Sequence, residues 1–271
     1  METETTLGAA FRAAGIEQGD SLIVHSSFRS LGTVEGGPMT VINALLAAIG
    51  SDGNLMLPTF NYTRPLPEPC YDIHETPART GILPEIGRKR PDAVRSLHPT
   101  HSVAVIGPAA RPLTEKHLAV RAFGVNSPID LLAQMGGKIL LIGVGQTSNS
   151  TLHVAEEYAG IPKVSHARVP PHVKIRVPGE KSRFIRHQLD SSPSCSAGFE
   201  AAAYTLRRHG AIRDARIGGC LLQWMNGQMT LDLVSDLLKR EPTAMLCTFP
   251  ECVGCGGTRQ ALGQRGHGGK K

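Results

Sequence analysis

Residues 138–157, KILLIGVGQTSNSTLHVAEE, constrain this chain more than any other stretch, because they read as a buried strand, a polar loop and a helix in that order. Ile139 to Ile142 form a short apolar run that Gly143 and Gly145 break, and Asn149, Ser150 and Thr151 are helix N-cap candidates directly before His153. A histidine in a first helical turn, with Glu156 three residues on and Glu157 four on, can have one ring nitrogen held by a carboxylate while the other meets a substrate. Spacing alone fits a capping histidine equally well, with two glutamates that simply complement the helix dipole.

The same alternation runs through the first half of the chain. Residues 6–14 read as an amphipathic helix, SLIVHSS as a strand, Pro38–Ile49 as a helix closed by Gly50, NLMLPTF as a strand and residues 82–89 as a helix. SVAVIG and KILLIGVG are further strands, separated by an irregular helical stretch over 109–132 that Gly124 and Pro128 interrupt. Residues 61–80 are rich in proline and polar groups, too long for a simple connection, and are expected to form a functional loop. Strands and helices in this order predict an α/β fold, a layered α/β/α sheet.

After Pro162 the pattern changes. HVKIRVPG and EKSRFIRHQLD read as a hairpin turning at Pro178-Gly179, SCSAGFEAAAYTLRRHG as a helix capped by Gly210, and residues 211–222 as one strand. Residues 230–240 read as a helix and AMLCTF as a strand. The chain is thus expected to divide into a core over 1–160 that carries the candidate histidine, a smaller C-terminal subdomain over 161–258 that carries a cysteine cluster, and a flexible tail over 259–271.

Composition narrows the class. At 271 residues and 41% hydrophobic content the chain can bury one large core or two closely packed lobes. Its longest apolar runs fall short of the roughly 20 residues a membrane span needs, and METETTLGAAFRAAG lacks a basic flank and an apolar signal core, so no membrane partner and a cytoplasmic location are expected. A formal charge of +6 favours an anionic partner. Lysines and arginines are nevertheless scattered and aromatics make up only 4%, which excludes the stacking platform of a nucleic-acid binder and favours a phosphorylated small molecule.

Six cysteines are too few for a disulfide scaffold. Cys252 and Cys255 form a C-x-x-C knuckle flanked by glycine, a spacing that lets two thiolates bind one zinc in a tight turn, with two further ligands to be supplied elsewhere. A redox pair would lack the βαβ context of thioredoxin-like sites. Cys70 and Cys220 read as ordinary loop and core residues.

His25, Ser26 and Ser27 follow the apolar run SLIV and emerge at the carboxyl edge of a strand, where α/β proteins place ligands. Arg29 and the loop LGTVEGG, which includes Leu31, Gly32 and Val34, add a cation and pliable backbone before the helix at Pro38; the same loop also reads as a bare turn and cap. In HPTHS, His101 and Ser102 sit at the entry to SVAVIG. His74 reads as a surface residue.

The ordered segments LIVHSSFRSLG, SLHPTHSVAVIGPAA, SPIDLLAQMGGKILLIGVG and SNSTLHVAEEYAG resemble the motif set of the antibiotic N-acetyltransferase family, whose best-known members are the aminoglycoside 3-N-acetyltransferases. The resemblance covers residues 19–160, and ECVGCGGTRQALG is similar to the tail of the apramycin-acetylating branch. It implies transfer of acetyl from acetyl-CoA to the 3-amino group of an aminoglycoside in a ternary complex, with His153 as general base, Glu156 (or else Glu157) orienting it and the Thr151 hydroxyl facing the thioester carbonyl. It further implies coenzyme contacts at His25, Ser26, Ser27, Arg29, Leu31, Gly32, Val34 and Ser102, substrate contacts at Asp72 and Asp190, and a structural zinc on Cys195, Cys247, Cys252 and Cys255. The apramycin branch carries more acid where this chain has Ser191 and Ser192. A homodimer is compatible with the pattern. The alternatives are a same-fold acyltransferase for another amine and a non-catalytic, zinc-stabilised ligand-binding protein.

Overall fold

The apolar runs become the inner strands of one sheet in the computed structural model, which describes residues 1–61, 70–163, 172–176, 184–188 and 195–267. In chain order the elements are α1 (Glu4–Ala13), β1 (Ser21–Ser26), α2 (Pro38–Ile49), β2 (Asn54–Pro58), β3 (Cys70–Tyr71), α3 (Ile82–Gly87), β4 (Ala93–Arg95), β5 (Val103–Ile106), α4 (Ala110–Thr114) and α5 (Pro128–Gln134). They continue with β6 (Lys138–Ile142), α6 (Thr151–Tyr158), β7 (His172–Arg176), β8 (Phe184–Gln188), α7 (Ala202–Arg208), β9 (Arg213–Ile217), β10 (Cys220–Asn226), α8 (Gly227–Arg240) and α9 (Val253–His267). A seven-stranded sheet runs β4-β5-β2-β1-β6-β10-β9, and a smaller one runs β3-β7-β8. The large sheet is mixed: β1 is parallel to β2 and β6, whereas β5 and β10 run antiparallel to their neighbours.

Side chains alternate across a strand, and that alternation builds two cores. Ile23, Ile139 and Leu141 face the layer of α5, α6 and α8, where Leu132, Leu152 and Val234 pack on them. Leu22, Val24, Leu140 and Ile142 face α1 and α2, meeting Leu7, Phe11, Val41 and Leu45. Tyr71, Val173 and Ile175 form a small separate core under the second sheet.

Local chemistry sets the helix ends. Thr3 and Thr6 make a reciprocal capping box on α1, and Asn226 Oδ1 accepts from Met229 N at the start of α8. Pro128, expected to interrupt a helix, begins one: it is the first residue of α5 after the cap Ser127, where its missing N–H costs no hydrogen bond.

Four further expectations change. Residues 211–222 hold a hairpin, not a single strand, because Gly218 takes a positive φ of 53° and reverses the chain between β9 and β10. Both strands join the large sheet beside β6, so residues from the 161–258 segment complete the sheet begun by 1–160. AMLCTF forms no strand; Met245, Leu246 and Cys247 are buried by packing without ladder bonds to a neighbour. Residues 253–267, which overlap the expected tail, form α9, held down by buried Cys255 and by Thr258, whose hydroxyl donates to Pro162 O at 3.1 Å. β7 and β8 do pair antiparallel, while the turn at Pro178-Gly179 lies outside the described residues. Among the described residues, no helix is long and apolar enough to cross a membrane.

Candidate active site

The loop after β6 turns at Gly143, whose positive φ of 62° and close approach to Ser30 exclude any side chain: a Cβ there would lie 1.8 Å from Ser30 Oγ. The backbone then makes a short 3-10 turn, anchored where Gln146 N donates to Glu200 Oε2 at 2.9 Å. Of the three N-cap candidates, Asn149 does the capping, its Oδ1 accepting from Thr151 N at 3.1 Å. Ser150 makes no side-chain cap bond, and Thr151 opens α6 with its Oγ1 buried and unpartnered.

One turn on, His153 Nδ1 lies 2.8 Å from Glu156 Oε2, both residues buried. Glu157 turns away, pairing with Arg121 Nη1 at 2.7 Å and Lys163 Nζ at 3.4 Å. Lys163 also donates to His153 O at 3.3 Å. The imidazole packs against two phenyl rings: Phe123, at 5.0 Å between centroids and 34° between planes, and Phe199, at 4.5 Å and 60°.

HPTHS packs behind Phe123. The His101 ring lies 4.9 Å from Phe123 and its Nδ1 meets Thr100 Oγ1 at 2.8 Å. Burial pushes the His101 pKa down to about 3, helped by the nearby His153, His117 and Lys163. His117, bridging Ser96 Oγ and Ala122 O, is likewise pushed down to about 3 by burial. Ser102 is fully enclosed; its hydroxyl donates to Thr59 O at 3.0 Å and accepts from Arg95 Nε at 3.1 Å. Arg95, also buried, donates to Ile73 O, Thr76 O and Thr59 O and so ties the loop after β3 to the sheet.

His25 and Ser26 end β1 opposite Leu141 and Ile142 of β6, at the same edge of the sheet from which the loop after β6 departs. His25 is held neutral, its pKa pushed down to about 3 by burial, and its Nε2 is buried with no hydrogen-bond partner. Such orphans are rare in folded proteins, and two of them, His25 Nε2 and Thr151 Oγ1, belong to this region. Ser26 and Ser27 are half-buried, and Arg29 and Gly32 are exposed. Leu31 and Val34 point into the α1/α2 core. Gly36 and Gly37 bring the backbone to the N-terminus of α2 with positive φ angles of 72° and 74°.

Asp72 lies at a turn, its Oδ1 accepting from His74 N and Glu75 N and its Oδ2 paired with Arg176 Nε at 3.0 Å. Partial burial opposes ionisation there, but these donors outweigh it and hold the carboxyl below its ordinary range. His74 is exposed. Asp190, Ser191 and Ser192 lie outside the described residues. Phe123, Phe199, Lys163 and Arg95 were not singled out from the sequence, where a phenylalanine or a lone cation among apolar residues carries no mark of a site.

Cys195, Cys247, Cys252 and Cys255 converge, their four sulfurs within 4.8 Å of one another. They come from the loop before α7, the segment before α9 and the first turn of α9 itself. Tetrahedral zinc with bonds of about 2.3 Å needs sulfurs roughly 3.8 Å apart, so this all-thiol set fits such an ion with small adjustments. The Cys255 N–H lowers the Cys252 thiol pKa, while burial pushes Cys255 up to about 12. Cys70 is exposed, and Cys220 is a buried core residue touching Ser30 Oγ at 3.1 Å.

The model of a family described as aminoglycoside 3-N-acetyltransferase matches residues 23–239. Aminoglycoside N(3)-acetyltransferase VII of Streptomyces paromomycinus is 33% identical over 244 residues, 80% of this chain and 84% of that protein. Among solved structures, a histidine-to-alanine variant of aminoglycoside acetyltransferase AAC(3)-IVa in complex with a gentamicin superposes with a TM-score of 0.83 at 27% identity, covering 96% of this chain and 97% of that one. The binary complex of AAC-IIIb with coenzyme A superposes with a TM-score of 0.76 at 26% identity, over 88% of this chain and 97% of that chain.

Proposed function

The chain belongs to the aminoglycoside 3-N-acetyltransferase family, and we propose that it carries out that family's reaction with His153 as general base. It is an acetyl-CoA-dependent aminoglycoside N-acetyltransferase, moving acetyl from the thioester to the 3-amino group. In the proposed mechanism the amine nitrogen attacks the thioester carbonyl while His153, through the ring nitrogen not engaged by Glu156, takes a proton from it. Glu156, 2.8 Å from Nδ1, fixes the tautomer and stabilises the imidazolium as it forms. The tetrahedral intermediate then collapses, the carbon–sulfur bond breaks, and the departing thiolate receives the proton from His153. No acetyl-enzyme forms, so both substrates bind together.

The observation that carries this reading is the enclosed His153–Glu156 pair at the head of α6. Thr151 Oγ1, buried and without a partner, is the nearby donor suited to the oxyanion. On the coenzyme side, Ser26, Ser27, Arg29 and Gly32 offer hydroxyls, a cation and open backbone for pantetheine amides and diphosphate, with His25 beneath them and the N-terminus of α2 behind. Leu31 and Val34 anchor that loop in the core, and Ser102 serves through its grip on Arg95. Residues 161–258 furnish the substrate side, and the similarity to AAC(3)-IVa supports the apramycin-acetylating branch. A polycation reaching Asp72 must first displace Arg176.

The four cysteines hold a structural zinc in this reading. With sulfur at every corner the site is closed, so it contributes folding free energy and no chemical step. A cytoplasmic location is part of the same proposal. The test is thiol release from acetyl-CoA with gentamicin and apramycin, comparing the unaltered protein with His153→Ala. Loss of about 10³-fold or more with an unchanged fold is expected; undiminished turnover removes His153 from the mechanism.

A further inference from the structure

The reaction as written leaves unused the two aromatic rings that enclose the base. Phe123 and Phe199 come from opposite sides of the sequence, and both rings are almost wholly buried. Their centres lie 5.0 and 4.5 Å from the imidazole centre, both tilted to it, within the roughly 6 Å over which an aromatic ring can attract a cation. Both rings are set by well-packed surroundings. The Phe199 backbone N–H bonds to Ser196 O at 3.0 Å, and at the preceding Gly198 a Cβ would lie 2.4 Å from Met245 O and 2.8 Å from Cys247 N, so this turn is pressed against backbone beside the cysteine cluster. Phe123 follows Ala122, whose carbonyl accepts from His117 Nε2 at 3.2 Å, and its ring also packs on Phe60 and His101.

The charged and titratable groups around His153 make such a clamp useful. Glu156 supplies one negative charge from the same helix. Lys163 brings a positive charge to the His153 carbonyl, offset by its pairing with Glu157, which Arg121 shares. His101, across Phe123, is held neutral by burial and adds no charge. An imidazolium formed there has few waters beside it, and the two aromatic rings can stand in for part of its solvation.

We propose that Phe123 and Phe199 are positioning residues that grip the His153 ring from two sides and stabilise its imidazolium at the moment the amine proton is taken. The proposal rests on the assignment of His153 as base. It differs from simple packing in one respect: it depends on the electron density of the ring faces and not only on their bulk.

The experiment is the pH dependence of kcat/KM for thiol release, measured on the unaltered protein and on Phe123→Leu, Phe199→Leu, Phe199→Trp and His153→Gln. Leucine keeps an apolar wall but removes the quadrupole. The acidic limb of the profile is expected to move to lower pH by about half a unit for each leucine variant. The plateau should fall by up to about threefold, the same half unit expressed as a rate, and the KM for acetyl-CoA should stay constant, while Phe199→Trp retains the original limb. As a readout independent of turnover, NMR titration of the His153 ring should shift in the same direction. Should the leucine variants fold poorly, biosynthetic replacement of phenylalanine by ring-fluorinated phenylalanine, which drains the ring face with little change of shape, should move the limb the same way. A limb lost in His153→Gln yet unmoved in both leucine variants, or unmoved by fluorination, overturns the clamp alone. A limb that survives in His153→Gln overturns the base assignment and the clamp with it.

Discussion

Replacing Glu156 by glutamine is the sharpest test of the proposed base, because it removes a charge without removing an atom from the packing. Glu156 is 1% exposed, so the change acts where water cannot compensate. Two estimates bracket the effect. Full loss of attraction between an imidazolium and a carboxylate about 4 Å apart at an effective dielectric of 20 is about 4 kcal/mol, roughly 10³ in rate. Exchange of a charge-assisted hydrogen bond for a neutral one, with the amide oxygen still accepting from Nδ1, costs only about 1–1.5 kcal/mol, roughly tenfold. The amide keeps the geometry, so a loss of about 10²-fold in kcat is expected, with KM little changed since the charge matters once the proton has moved. Steady-state thiol release, with circular dichroism to confirm the fold, measures it. A loss below about threefold in a folded variant would refute the idea that the carboxylate charge supports the base.

Three further outcomes follow from the same structure. His25, His101 and His117 have folded pKa values pushed down to about 3, so between there and roughly 6.5 the unfolded chain binds protons that the folded chain does not. Stability is therefore fully present above about pH 6.5 and lost as pH falls, by roughly 2 kcal/mol per histidine at pH 5; a urea midpoint that stays level from pH 7 to 5 would contradict this. Cys252→Ser combined with Cys255→Ser should abolish about one bound zinc per chain by elemental analysis and lower Tm, as should a strong chelator acting on the unaltered protein. Gly198→Ala should destabilise the fold by several kcal/mol, about 3 or more, since a methyl there meets only backbone at 2.4–2.8 Å, and thermal melts with near-normal stability would show that the turn can relax.

What could be read from the sequence followed from how each element holds itself together. β1, β2, β5 and β6 were visible because a central strand buried on both faces must be apolar, and glycines bracket them. α9 was not: it contains Gly254, Gly256, Gly257, Gly263 and Gly266, a composition that disfavours helix, and its anchors at Cys255 and Thr258 lie in contacts that no local window contains. β4 is three residues long and includes Arg95, so its strand character comes from pairing with β5. The β9–β10 hairpin was merged into one strand because its reversal rests on two glycines between apolar residues. At the site, the i, i+3 relation of His153 to Glu156 was legible, since helix periodicity puts both on one face. Asp72 was readable as a carboxylate on the long loop, but its pairing with Arg176 spans β3 and β7 and could come only from their adjacency.

The histidines show why a motif alone does not make a base. His25, His101, His117 and His153 are all less than a tenth exposed, at 8%, 5%, 2% and 7%. Burial by itself disfavours the imidazolium, and for the first three it keeps the ring neutral through the whole working range, suited to receiving or giving a hydrogen bond but not to carrying a proton. Low exposure therefore cannot distinguish a catalytic ring from a structural one. The proposed base, His153, differs in what stands around it: a carboxylate at 2.8 Å from its own helix and two aromatic rings brought in from 30 residues earlier and 46 later. The carboxylate was encoded locally and the rings by the fold, so the helix that bears His153 carries only part of the site. The remainder depends on the turn at Gly198 and the cysteine cluster against which that turn is pressed.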